Sequence, residues 1–425
     1  MRNRRALWVS AALAVGAALF ASRLARRGRA IVEPSPIVVG ASTSGEASAS
    51  AAASSSPPWR PPLPLPASAV VRDGPPAMLH LDPRRTNRSP YRAPRAPRVR
   101  WTYAAGGPVA AAPVVAGGRV VVASLSGRVA ALDAEGKPAW TFDARERVYG
   151  SPMVVGDLVV VGVDRGTVLG LSASSGRVRF RAAVDGDADT GPAPLPDGGF
   201  VLAAGRVAHA FRVDGTPRWK VKSKRKLYAS PAVADDGASV FPGQDDHVLV
   251  LDKTGAERFR VPVAADADAT PAIADDGTIY VGTDAGEILA LAPDDGRVLF
   301  RRTIGGFVRG ALSVSRSGAV LASTYGPKPA VVALDGRDGA LLFRFEVPGT
   351  GAKEHGVHGA PLEDREGTLV FGAQDDHVYA LDGAGTLKWK VRLGGDVDQA
   401  VVLTEDGVLV VGAEDGTVTA LVDGD

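Results

Sequence analysis

From Trp101 onward, short apolar runs alternate with turns marked by Gly or Asp-Gly, and the alternation repeats. One unit reads Ala269-Thr270-Pro271, Asp276-Gly277-Thr278-Ile279-Tyr280-Val281-Gly282, Gly286-Glu287-Ile288-Leu289-Ala290-Leu291 and Gly296-Arg297-Val298-Leu299-Phe300. Each piece is a short β-branched or alternating run bounded by a turn residue. The pattern predicts four short strands joined by tight turns.

Two markers set the register. A Pro opens the first strand at Pro113, Pro152, Pro192, Pro231, Pro271 and Pro361, and Leu312 and Val401 take its place in two further units. An aromatic stands four positions after a Gly at Trp140, Phe180, Trp219, Phe259, Phe300, Phe343 and Trp389. Trp101 matches it at the front end, with Pro97 in place of the Gly. The distance from aromatic to next opening position is twelve residues in seven of eight cases. Composition cannot produce that constancy. It predicts identical crossovers from the outer strand of one sheet to the inner strand of the next, around a closed ring. The marker aromatics are expected to wedge between neighbouring sheets and dock them.

The last unit lacks its aromatic strand, and a spare strand at residues 99–103 precedes the first unit. The expected fold is all-β: an eight-bladed β-propeller of four-stranded antiparallel blades over residues 77–425. The last blade is closed by the N-terminal strand, which leaves only short sheet edges.

The segment before the repeats has a different character. Residues 1–5 carry three Arg, and residues 6–22 include only Ser10 and Ser22 as polar members before Arg23, Arg26, Arg27 and Arg29. A basic start and an apolar run suit export, and the run is near the minimum for crossing a bilayer. Phe20-Ala21-Ser22 is a poor cleavage site, so an uncleaved membrane anchor is favoured over a cleaved signal peptide for residues 1–30. Residues 31–76 are dominated by Ala, Ser and Pro and read as a disordered linker. The expected setting is the bacterial cell envelope, with the propeller extracytoplasmic, in the periplasm. Residues 84–100 hold seven Arg. They read either as a solvated strap into the first strand or as a contact for anionic lipid or an acidic partner.

Charge splits the same way. Residues 1–100 hold 16 Arg and 4 acids, leaving 33 bases against 43 acids in the remainder. An acidic body argues against a nucleic-acid partner, which needs clustered basic surface. With no Cys, the chain has no disulfide, thiolate zinc site, c-type haem attachment, catalytic Cys or lipidated Cys.

Residues 101–425 resemble the pyrroloquinoline-quinone-type (PQQ-like) propeller repeat. The resemblance is carried by Tyr280-Val281-Gly282-Thr283-Asp284-Ala285-Gly286, Tyr379-Ala380-Leu381-Asp382 and Gly385-Thr386-Leu387-Lys388-Trp389. That family has a branch of quinoprotein dehydrogenases and a non-enzymatic envelope branch similar to BamB, the outer-membrane assembly propeller. The resemblance implies the second branch. The dehydrogenases are larger, many carry a vicinal Cys pair, and no inserted loop here is large enough to roof a quinone. The expected function is a non-catalytic, monomeric envelope scaffold for a protein or peptide, with no cofactor and no metal. The alternative is a quinone-, sugar- or metal-binding enzyme or sensor that uses the channel mouth.

Candidate site residues follow from the register. The crossovers should ring one mouth of the central channel. Three residues before each opening position stand Ala110, Tyr149, Asp189, Tyr228, Asp268, Arg309, His358 and Asp398. Such a ring of polar and aromatic groups is either a binding site for a ligand or partner or a wet channel rim. The crossover from Phe343 to Pro361 is eighteen residues long, and its extra stretch in residues 349–359 includes His355 and His358. A long loop on a regular scaffold is a candidate partner contact or pH-sensitive element, as well as a plain solvated loop. Two His do not make a zinc site. Gln244-Asp245-Asp246-His247 and Gln374-Asp375-Asp376-His377 read as equivalent hairpin turns. His80 and His209 receive no role.

Overall fold

The computed structural model describes residues 77–352 and 355–424. The signal or anchor segment expected over residues 1–30 and the linker expected over 31–76 lie outside the described residues.

The described residues form eight four-stranded antiparallel sheets arranged as an eight-bladed propeller. Blades 1 to 7 span residues 114–143, 153–183, 193–222, 232–262, 272–303, 312–346 and 362–392. Blade 8 joins residues 402–423 to the strand Pro97–Ala104, which pairs with Thr417–Asp423, Trp101 opposite Ala420 and Tyr103 opposite Val418.

The core lies between blades. A middle strand such as Leu158–Val163 is buried along its whole length because both faces are covered. Its side chains alternate between two neighbours. Val159 and Val161 pack on blade 1, whereas Leu158 and Val160 pack on blade 3. Among the described residues one apolar cluster fills each of the eight interfaces.

The marker residues meet across those interfaces. The Trp140 ring covers Gly176, the Gly of the next unit, so closely that a Cβ there would lie 2.7 Å from Cε3. Trp101 covers Gly136, Phe180 Gly215, Trp219 Gly255, Phe259 Gly296, Phe300 Gly339 and Phe343 Gly385. These glycines also hold a positive φ, 69° at Gly176, which suits them to the turn as well as to the close ring. The indoles anchor by hydrogen bonds: Trp140 Nε1 donates to Ala173 O at 2.8 Å and Trp219 Nε1 to Lys253 O at 3.0 Å. The ring closes with Trp389 Nε1 donating to Pro94 O at 2.9 Å.

The Arg-rich strap departs from expectation. Residues 77–89 do not run over a solvated surface but cross the inner strands in turn, whereas Arg95, Arg98 and Arg100 are exposed as expected. Ala77 exchanges backbone bonds with Val154. Pro83 O then accepts from Val233 N, Arg84 O from Ile273 N, Thr86 O from Val314 N and Asn87 O from Glu363 N. Arg85 is fully buried. Its Nε donates to Pro231 O at 2.9 Å, Nη1 to Leu79 O at 2.6 Å, and Nη2 to Gly191 O and Pro192 O at 3.2 Å each. Burial lowers its pKa only to about 10, so the guanidinium stays charged. Arg84 and Arg88 pair with Asp275 at 3.2 and 2.8 Å, while Arg92 and Arg95 pair with Asp423 and Glu366 at 3.2 Å each. The reason is the geometry of closure. Each inner strand leaves one edge unpaired toward the channel, and buried backbone groups need partners. The strap backbone and a five-donor guanidinium supply them.

Candidate functional site

The crossovers and turns around the mouth interlock by one recurring bond. At each interface the turn between the second and third strands donates a backbone N–H to the crossover, two residues before its mouth position. The donors run from Leu125 to Pro108 O, through Asp164 to Arg147 O, Asp284 to Asp266 O and Tyr325 to Phe307 O, to Glu414 bonding Asp396 O. Each mouth side chain therefore stands between two turns.

Those turns carry chemistry of their own. Asp189 shares a hydrogen bond with Asp164. Asp268 Oδ2 accepts from Gln244 Nε2 at 3.0 Å. Arg309 forks on Asp284, with Nε and Nη2 each donating at 2.9 Å. His358 meets the Tyr325 ring edge-on at 5.7 Å and bonds Gln399 Nε2 at 3.2 Å. Asp398 bonds both Gln374 and Glu414. Tyr149 OH accepts from Arg147 at 3.3 Å, and the Tyr228 ring lies 5.0 Å from Lys226 Nζ. The long crossover lies against the turn of blade 6, which is also longer than its siblings. There His355 O accepts from Gly326 N at 3.0 Å and Gly356 bridges to Tyr325. The His355 side chain is half-buried, and its charge is felt by Asp396.

Crowding of carboxylates perturbs their acidity. Burial, then the shared hydrogen bond with Asp164, raises Asp189 to about 7. Burial, then the bond to Asp398, raises Glu414 to about 7. Burial is also the first cause at Asp268 and Asp396, each pushed to about 6. His358 moves the other way, to about 4, by burial and then by the charge of Arg309.

Sequence reasoning placed the mouth positions but missed their partners. Asp164, Asp284, Gln374 and Glu414 each follow a Gly by two residues, and that spacing was the available signal. The Gly is there because a crossover side chain occupies the space: Val308 stands over Gly282 and Val397 over Gly372. The two Gln-Asp-Asp-His segments are turns, with Asp246 and Asp376 at φ of 59° and 65°. Their Gln residues nevertheless face the mouth. His80 was also missed. It rises from the strap, is buried, and has two ring nitrogens without a partner among the described residues. Burial, then Arg85 and His358, holds it well below the ordinary imidazole range. His209 packs against Phe211 in blade 3, away from this set.

A family model described as outer membrane protein assembly factor BamB matches residues 96–207, 203–278, 244–364 and 327–425. The chain belongs to the BamB-like family of PQQ-repeat propellers. No curated protein matches it in sequence. Among solved structures, BamB from Moraxella catarrhalis superposes with a TM-score of 0.66 at 18% identity, over 77% of this chain and 99% of that one. Quinohemoprotein alcohol dehydrogenase from Comamonas testosteroni gives 0.66 at 14% identity, over 81% and 80%. A europium-containing methanol dehydrogenase gives 0.64 at 12% identity, over 79% and 89%. At these identities the likeness is one of fold, and a fold hosts several functions.

The mouth chemistry bears on the quinone that dehydrogenases of this fold carry. Pyrroloquinoline quinone is a tricarboxylate. Here it would meet Asp189, Asp268, Asp398 and Glu414, while the Arg309 guanidinium is already held by Asp284. Among the described residues no three His, Asp or Glu converge as metal ligands. The residues present do not fit that group, and no step is derived through it.

Proposed function

We propose that this chain is a non-catalytic scaffold of the cell envelope, attached by its N-terminal segment, that docks a protein or peptide on the crossover mouth. One observation carries the reading: Tyr149 and Tyr228 stand 36% and 40% exposed at the mouth, above inner strands that the strap crosses. Tyrosine is enriched at binding surfaces because its ring is large and rigid and its hydroxyl keeps a polar contact. The match to an outer-membrane assembly family supports the envelope setting. Crosslinking the tagged full chain in envelope membranes is expected to trap a partner that the double variant Tyr149→Ala/Tyr228→Ala loses. A partner fully retained by that variant would place docking elsewhere. A raised melting temperature with pyrroloquinoline quinone would favour a quinoprotein instead.

A further inference from the structure

One arc of the mouth contains hydrogen-bond acceptors with nothing to accept from. Asp268, Arg309, His358 and Asp398 are consecutive mouth positions. Asp268 Oδ1, Asp398 Oδ1 and both His80 nitrogens are buried atoms without a partner among the described residues. His80 belongs to the strap, so this is an observation separate from the carboxylates of the mouth. His358 lies close enough to act on its charge. Neutral imidazole offers one acceptor and one donor nitrogen, and an ionised carboxylate oxygen only accepts. Three of the four open atoms therefore call for a donor.

Charge points the same way. Arg309 is forked on Asp284, and that pair shows how a guanidinium fits between a crossover and a turn. Two interfaces further on, the same two places hold Asp398 and Gln374, and Asp398 also bonds Glu414 in the turn of its own blade. Neither carboxylate has an ion-pair cation among the described residues, although His358 lies within electrostatic range of Glu414. Two adjoining carboxylates either share a proton or take up a cation.

We propose that this arc binds a basic side chain or terminal amine of a partner polypeptide, its guanidinium or ammonium seated on Asp398 and Glu414 and reaching His80. The inference rests on the docking reading and names the chemistry of the partner. An organic cation suits the site better than a metal ion, because no three ligands converge.

The test is calorimetric titration of the full chain with a capped Gly-Gly-Arg-Arg-Gly-Gly peptide, its Lys counterpart and its neutral citrulline counterpart. The Arg and Lys peptides are expected to bind at least about tenfold more tightly than the citrulline one. Asp398→Asn/Glu414→Gln, which keeps side-chain shape, is expected to weaken the Arg peptide by about tenfold. The control Asp235→Asn/Asp294→Asn removes as much charge from elsewhere on the surface and is expected to leave it unchanged. Citrulline binding as tightly, or the control weakening the peptide as much, overturns the site. Crosslinking separates the two readings. A partner kept by Asp398→Asn/Glu414→Gln but lost by Tyr149→Ala/Tyr228→Ala leaves docking standing and removes the cation site. A wild-type chain that traps no partner removes docking itself.

Discussion

Arg85 Nε donates to the carbonyl of Pro231 at 2.9 Å, although the two residues are 146 positions apart. With its Nη atoms on Leu79, Gly191 and Pro192, one guanidinium serves four carbonyls. Arg85→Met keeps the length and strips those bonds. It is expected to lower the unfolding free energy by about 3 kcal/mol or more. Arg85→Lys should recover only part, because an ammonium cannot fork. Urea denaturation followed by circular dichroism measures both, and a loss below about 1 kcal/mol for the Met variant would show that the strap is not tied in through this residue.

The Gly176 position separates two costs. Gly176→Ala introduces a Cβ 2.7 Å from Trp140 at a φ of 69°, whereas Gly198→Ala introduces one at a φ of 89° with nothing within 4 Å. Backbone strain alone is worth about 1 kcal/mol, and forced overpacking adds about 1–3 kcal/mol. Gly176→Ala is therefore expected to lower the thermal midpoint clearly more than Gly198→Ala. Equal losses would mean that aromatic-on-glycine docking contributes nothing beyond the turn.

The raised pKa of Asp189 sets a pH dependence. Its folded pKa, about 7, lies above the ordinary carboxylate value through burial first and then the bond to Asp164. Between those values the folded chain holds a proton that the unfolded chain lacks. The stability this confers is present at low pH and is lost as pH rises through about 7. Asn keeps the neutral shape at every pH. Asp189→Asn is expected to melt further above the wild type near about pH 8 than near about pH 5. A difference independent of pH counts against the paired titration.

His358 should be neutral under ordinary conditions. Burial, then the Arg309 guanidinium, lowers it to about 4. In a proton–carbon correlation NMR titration, the resonance removed by His358→Gln is expected to move only near about pH 4. A midpoint near the ordinary imidazole value of about 6.5 would mean that the His358 ring is solvated in the mouth.

Much of the ring was legible because its determinants are local and repeated. Pro271, Gly296 and Phe300 recur at fixed offsets, and the spare strand around Trp101 announced the closing pair with Ala420. Asp189, Asp268 and Asp398 were placed by counting back from the opening positions. Asp164, Asp284 and Glu414 were not, since a carboxylate in a turn reads equally well as a turn former. Arg84, Arg85 and Arg88 looked solvated because seven Arg in seventeen residues ordinarily are.

The sequence by itself determined the blade count, the register and the shared last blade, since each follows from a periodic pattern of apolar residues and turns. Only the tertiary structure decided that the strap turns inward and that carboxylates from separate blades meet in pairs. Those outcomes depend on which backbone groups remain unpaired once the ring has closed, and no local stretch of chain contains that information.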